Sequence, residues 1–403
     1  MSAIGSGLSI IIPLYILALH GSVLNVGLAL AAYNLVSIPS SLLWGKLTDS
    51  FGGRKSRLFI LSSILGVFPI LLILGILSNP HEVEAMYGLY ALIATAASPS
   101  INILVMGTKR DPSLPKFFSR YSMYIIVGSI LAEVPGLLVS QSYILYYLYF
   151  LLVVNAFGMA FAWITIKDTK KEAVKPEQIK SVSAMFPILN MLSTIPNLLT
   201  GHALVERLHK VFDGEHRNVL ILLVAIALFN GAMNLFNTSY IPYLKAFHLS
   251  YSFIFAVSIV NSIGQLAVYI SVAYILSRNV DLHRYYGISV WLRGISYMVV
   301  LLPLIATFIA FLYVNILGYA LAGIAYAMWN IAASVMLYDH VRGKDAGYYI
   351  GIWVAVLGLS AVLGSLFSGI LSSMLSYTYT FTIAAMVTFA SAAFFSRYHR
   401  SAE

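Results

Sequence analysis

Long apolar runs follow one another along this chain with short polar breaks between them. Each is close to the ~20 residues that a helix needs to cross a bilayer. They predict twelve helical spans, at about 3–19, 23–45, 56–78, 84–107, 117–140, 143–166, 218–244, 250–277, 285–306, 308–337, 346–373 and 376–396. The breaks are built from turn-forming residues, as in Ser78-Asn79-Pro80. One break is long. It begins with the charged run Lys167-Asp168-Thr169-Lys170-Lys171-Glu172 and continues as a mixed stretch from Ser181 to Phe212. That stretch is too polar to span but amphipathic enough to lie on a membrane surface; a tether without fixed structure is the alternative. The chain therefore divides into a six-helix bundle at 1–166, a cytoplasmic linker with interfacial helices at 167–217, and a second six-helix bundle at 218–403. The expected fold is all-α and integral to the membrane, two pseudo-symmetric bundles of the kind that secondary transporters build by repetition.

Composition agrees. Of 403 residues, 60% are hydrophobic and 10% charged, where a soluble domain carries about 25% charged residues. The net charge of +9 would suggest an anionic partner in a soluble protein. Here its placement matters more. With Arg293 assigned to the 8–9 end, 23 of the 24 Lys and Arg fall in loops 2–3, 4–5, 6–7, 8–9 and 10–11 and the C-terminus, against Lys245 alone on the other face. The positive-inside rule then puts both termini in the cytoplasm of a multi-pass plasma-membrane protein. Met1–Leu19 lacks the basic n-region of a cleavable signal. There is no cysteine, which removes disulfides, thiol catalysis and cysteine metal sites. No phosphate-binding GxxxxGK[ST] loop, no zinc-spaced His pair and no catalytic constellation is present. The expectation is a protein that is not an enzyme, without cofactor, metal or nucleic-acid partner, acting as a monomer on a small-molecule substrate within the lipid bilayer.

After the second span comes Gly45-x-Leu47-x-Asp49-x-Phe51-Gly52-x-Arg54-Lys55. With its position, its cytoplasmic side and the twelve-span frame, this loop resembles the loop 2–3 signature of the major facilitator superfamily (MFS). Ile12-Pro13-Leu14-Tyr15 in span one is also similar to family members. The architecture matches over the whole chain and the motif over about eleven residues; Ser50 and Gly53 stand where arginines are usual. The resemblance implies a transporter working by alternating access, with Gly45, Asp49, Gly52, Arg54 and Lys55 as a cytoplasmic latch. Asp49 would sit at the N-terminus of span eleven, where the helix dipole favours an anion. Arg54 and Lys55 would meet acids or lipid phosphates. A plain basic loop that only sets topology is the competing reading.

A substrate site in such a frame lies near the midplane, between the halves. The inward polar candidates are Tyr15, Asn34 and Asn102 in the first half. In the second they are the span-seven stripe Asn230, Asn234 and Asn237, then Asn261 and Gln265, then Asn315, Tyr319, Tyr326 and Asn330, then Tyr349 and Trp353. Hydrogen bonding that merely packs helices is the alternative for each, at about 1 kcal/mol apiece. Glu133 is the one acidic residue deep in a predicted span, flanked by Ile130-Leu131-Ala132 and Val134-Pro135-Gly136. An ionised carboxylate there costs about 3 kcal/mol, so protons are a further partner that Glu133 is suited to carry. The cavity reads as neutral, polar and aromatic, suited to an uncharged or amphiphilic solute better than to a multivalent anion, which would need buried Arg or Lys. The function predicted is secondary active transport of a small organic solute, with a non-transporting membrane sensor or receptor, or a drug and amphiphile exporter in place of an uptake permease, as alternatives. Asp49→Asn is expected to change the transport rate at unchanged expression, measured by solute flux per molecule of protein; unaltered kinetics reject the latch.

Overall fold

The computed structural model describes residues 2–50, 56–97, 100–101, 114–166, 217–275, 281–301, 308–340 and 346–402. The linker, apart from Arg217, and Phe51–Lys55 and Asn102 lie outside the described residues. Twelve α-helices run through the described chain: α1 (Ser2–Ala18), α2 (Val23–Ser50), α3 (Ser56–Leu74), α4 (Pro80–Ala94), α5 (Leu114–Gly136), α6 (Ile144–Thr165), α7 (Arg217–Ala246), α8 (Tyr251–Ile270), α9 (Leu282–Leu301), α10 (Phe308–His340), α11 (Ala346–Met374) and α12 (Tyr377–Ala402). Among the described residues, eight segments are long and apolar enough to cross a membrane. This is an all-helical membrane fold. In lipid a helix satisfies its own backbone and leaves only its side chains to be matched.

Proline lies inside α1, α2, α3, α5 and α7, at Pro13, Pro39, Pro69, Pro135 and Pro242. Each removes one backbone donor and favours a bend. A π-helical turn at Ser271–Ile275 follows α8.

The turns α1–α2 and α7–α8 are built alike. His20 and His248 both adopt left-handed backbone, with φ of 61° and 58°. The amide after each reaches back five residues, Gly21 to Ile16 at 2.9 Å and Leu249 to Leu244 at 3.2 Å. Ser22 and Ser250 come next, and the carbonyl of each accepts the amide four residues on, from Val26 and Ile254. Just over one turn before each histidine a tyrosine ties its helix to the third helix of its own set, at the turn that follows α3 in the first set and at the last turn of α9 in the second. Tyr15 Oη donates to the Leu77 carbonyl and Tyr243 Oη to that of Val300.

Helix α2 packs along both α4 and α11, α5 along α1 and α8, and α7 along α11 and α12. The pairs α2–α11 and α5–α8 join the first six helices to the last six. At the end that carries the His20 and His248 turns the two sets share one buried core, from Leu14 and Ile16 of α1 through Phe236 and Tyr240 of α7 to Phe255 of α8. There α2 and α11 touch backbone to backbone: a Cβ on Gly27 would lie 2.9 Å from the Cα of Gly369. At the opposite end each set has a core of its own, around Ile60 and Ile64 in the first and around Phe229 and Trp329 in the second, and a smaller core joins Ile126 of α5 to Tyr269 of α8, Val272 just after it and Ile331 and Val335 of α10.

A left-handed backbone at a β-branched residue costs about 1–2 kcal/mol. His248→Val is therefore expected to lower the thermal midpoint of the detergent-purified protein and His248→Asn to leave it nearly unchanged, by fluorescence-detected unfolding.

Candidate functional site

The two sets of helices part around a cavity of about 390 Å³ lined from both sides. From the first set come Asn34, Ser37, Ile38 and Ser41 of α2 and Thr95 after α4. From the second come Asn230, Met233 and Asn234 of α7 and Val354, Leu357, Gly358 and Ala361 of α11. It lies at mid-length and toward the end away from the histidine turns. Its wall is mostly apolar with a few polar groups, which is how small-molecule sites are usually lined.

The polar lining is partly committed. Asn230 donates to the Leu357 carbonyl at 2.8 Å and to Ser360 Oγ at 2.9 Å, tying α7 to α11. Asn234 donates its amide to the Asn230 carbonyl, and its side-chain oxygen has no hydrogen bond among the described residues. Among the described residues the Asn34 side chain has no hydrogen bond. Three of the sequence candidates therefore meet at one cavity. Ser37, Ser41 and Thr95 join them unforeseen, because a lone hydroxyl in an apolar helix carries no signal of which face it occupies.

A second polar layer lies beside it. Asn261 donates to the Tyr319 carbonyl at 2.8 Å and accepts from Gln265 at 2.7 Å. The Tyr319 ring stacks on Tyr240, centroids 4.4 Å apart. The contact is close because residue 323 has no side chain: a Cβ on Gly323 would lie 2.2 Å from the Asn261 carbonyl. Other candidates are engaged by contacts within the protein. Tyr15 is held at Leu77, and Asn315 is fully buried between the Phe311 carbonyl and Tyr240. Asn330 donates to Tyr269 at 2.9 Å, Tyr326 packs on Trp329, and Trp353 packs against the core around Phe229. The side chains of Asp49 and Tyr349 lie outside the described residues, and Gly45 is half-buried in α2.

Glu133 is 4% exposed at the junction of α1, α5 and α8. Ser6 of α1 donates to Oε1 at 2.7 Å, and Ser262 of α8 reaches Oε1 at 3.2 Å and Oε2 at 3.0 Å. Among the described residues no lysine or arginine pairs with it. The carboxyl group thus bridges the two sets through hydroxyls, which can serve either protonation state because each is both donor and acceptor.

Arg293 corrects the sequence reading. Expected at the 8–9 loop, it lies deep within α9 and is 2% exposed. Nε donates to Tyr297 Oη at 2.8 Å, Nη1 to the Ala322 carbonyl at 2.5 Å and Nη2 to Asn237 Oδ1 at 3.1 Å. Asn237 therefore belongs to a cluster that sequence spacing did not reveal. The reading of Arg293 as a loop residue fails, because a basic residue near a helix start reads as a loop until the helix is seen to extend past it. At the helix end opposite the histidine turns, Arg57 donates to the Trp163 carbonyl at 2.6 Å and lies over its ring.

Two helical sets around a shared cavity with a few polar groups, and Glu133 and Arg293 buried within them, define a multi-pass membrane transporter. The family model described as Major Facilitator Superfamily matches residues 1–313 and, in a second match, 220–402. The chain belongs to the Major Facilitator Superfamily. Similar solved structures include the nucleoside transporter NupG, at TM-score 0.73 and 14% identity over 99% of this chain and 96% of that one. A point mutant of the same transporter superimposes at TM-score 0.72 and 14% identity over 98% and 96%. At that identity the likeness is one of fold. No curated protein matches the chain.

Gly323→Ala is expected to force α8 and α10 apart and cost about 1–3 kcal/mol, seen as a lower thermal midpoint. An unchanged midpoint removes the close contact on which the Asn261–Tyr319 layer depends.

Proposed function

We propose that this chain is a secondary active transporter that moves a small organic solute across the cell membrane by alternating access, with protons coupled through Glu133. The bundles are residues 1–166 and 218–403, rocking about the cavity between them, with both termini cytoplasmic and one chain as the working unit. The observation that carries the reading is the Glu133 carboxyl group, held at once by Ser6 of the first set and Ser262 of the second. A group bonded to both halves changes its surroundings whenever they move, and so does its proton affinity. That links protonation to conformation and conformation to which side of the membrane the cavity faces.

The large core shared at the histidine turns, with the cavity lying away from it, supports a form closed on the outer face. On this reading Gly45–Lys55 is the latch that closes the cytoplasmic face in the alternate form, and Asp49 is its anion.

The test is uptake into proteoliposomes under an imposed pH gradient, with a panel of labelled solutes that includes a carboxylate, an amide, an amine, a sugar and a nucleoside, the last being what the similar structures are named for. Glu133→Gln is expected to abolish gradient-driven accumulation while solute exchange at equal pH persists. Full gradient-driven accumulation in Glu133→Gln overturns the coupling role. Ligand-induced stabilisation without flux of any bound solute favours a sensor on the same scaffold.

A further inference from the structure

Arg293 is not used by the transport scheme above. Its three bonded acceptors, a phenol, a backbone carbonyl and an amide oxygen, are all neutral. Among the described residues no carboxylate pairs with it. Nη1 and Nη2 each donate once, so each keeps one N–H without an acceptor among the described residues. A guanidinium is always charged and offers a fork of donors matched to a carboxylate. Buried in a membrane helix without a counter-ion it is costly, and such residues mark pathways for ions and substrates.

Its location favours a ligand over packing. Asn237 lies one turn beyond Asn234 and two beyond Asn230 on the same face of α7, and those two line the cavity. Arginine cannot accept a hydrogen bond, so Asn237 must turn its oxygen to Nη2. That oxygen holds the position that one oxygen of an entering carboxylate would take, with the unused N–H of Nη1 beside it. Nη1 bonds the Ala322 carbonyl of α10 and Nη2 bonds Asn237 of α7, so the cation is held among α7, α9 and α10.

We propose that Arg293 is the anion-recognition residue of the site, and that the transported solute is an organic anion carrying one carboxylate. This rests on the transport reading and names its substrate class. Asn237 is the stand-in acceptor that holds the guanidinium while the site is empty.

The test is thermal unfolding of the detergent-purified full chain with acetate, benzoate or octanoate, each against its uncharged amide. Wild type is compared with Arg293→Gln, Arg293→Lys and Asn237→Asp. At least one carboxylate is expected to raise the midpoint where its amide does not. Its half-maximal concentration should rise about 100-fold in Arg293→Gln and less in Arg293→Lys. Asn237→Asp supplies an internal carboxylate. It should raise the midpoint of the unliganded protein and erase the added carboxylate's effect, so the proposal stays testable if Arg293→Gln does not fold. Stabilisation by no carboxylate, equal stabilisation by the amides, or an undiminished carboxylate effect in Asn237→Asp overturns it. Counterflow in proteoliposomes separates the two claims. Flux of a neutral solute unaffected by Arg293→Lys keeps the transporter and rejects the anion. Carboxylate binding without flux keeps the anion site and rejects transport.

Discussion

Inside a bilayer a polar side chain has no water to fall back on, and most of this structure follows from that. Each buried polar group must be answered by another side chain or a backbone carbonyl, or it destabilises the fold. Asn230 is answered by Leu357 and Ser360, and Ser239 by Ser368 and Ser372. These bonds are short because small residues let the helices approach. They rigidify each set of helices internally. Between the sets the pattern is different: among the described residues the contact is mostly apolar, with polar ties where Glu133 meets Ser262, Ser122 meets Tyr269 and Arg120 lies over the Tyr274 ring. A boundary with few directional bonds can slide or rock at low cost, while the rigid sets move as units. The division between strong polar ties within sets and weak ones between them is a mechanical property written in the placement of Asn and Ser.

The spans were legible because apolar length is a strong signal. All twelve predicted spans overlap helices, and the ends differ by a few residues: α4 ends at Ala94 where the hydropathy pattern runs on to 107, with most of the residues beyond it outside the described part of the chain. The asparagine stripe of α7 was legible for a related reason. Helical spacing puts Asn230 and Asn234 on one face, and that face does meet the cavity. The stripe on α10 divides: Asn315 meets Tyr240 of α7 and Asn330 bonds Tyr269 of α8, while Tyr326 packs on Trp329 of its own helix, and spacing alone cannot tell a cavity face from a contact face. That depends on which helix packs where, a tertiary fact.

Arg293 shows a different limit. The positive-inside rule reads charge as a marker of loops, so any basic residue near a predicted boundary is drawn to that boundary. With Arg293 removed from the cytoplasmic set the asymmetry remains, since Lys245 is still the lone basic residue at the other face. The rule therefore survives the correction while the residue changes meaning. The signal that could have found it lies in its own helix, where Tyr297 is four residues on, the spacing at which a guanidinium and a phenol meet on one face.

On the proposed reading Glu133 and Arg293, the two carboxylate or basic side chains buried among the described residues, also constrain one another. Glu133 is served by hydroxyls that suit either of its charge states, whereas Arg293 is a cation in every state. With Glu133 protonated, the interior carries the single positive charge of Arg293. An entering carboxylate then brings it to neutrality, and a neutral interior is the least costly one to carry through the apolar middle of the bundle. Loss of the proton alone adds a negative charge beside a bound anion, and loss of the anion alone leaves the cation uncompensated. Each separate step is the more expensive one, so proton and anion favour leaving together. Coupling on this view needs no direct contact between the two ligands. It needs only a shared low-dielectric space, such as the one around Tyr319, in which the total charge is what the protein cannot afford to leave unbalanced.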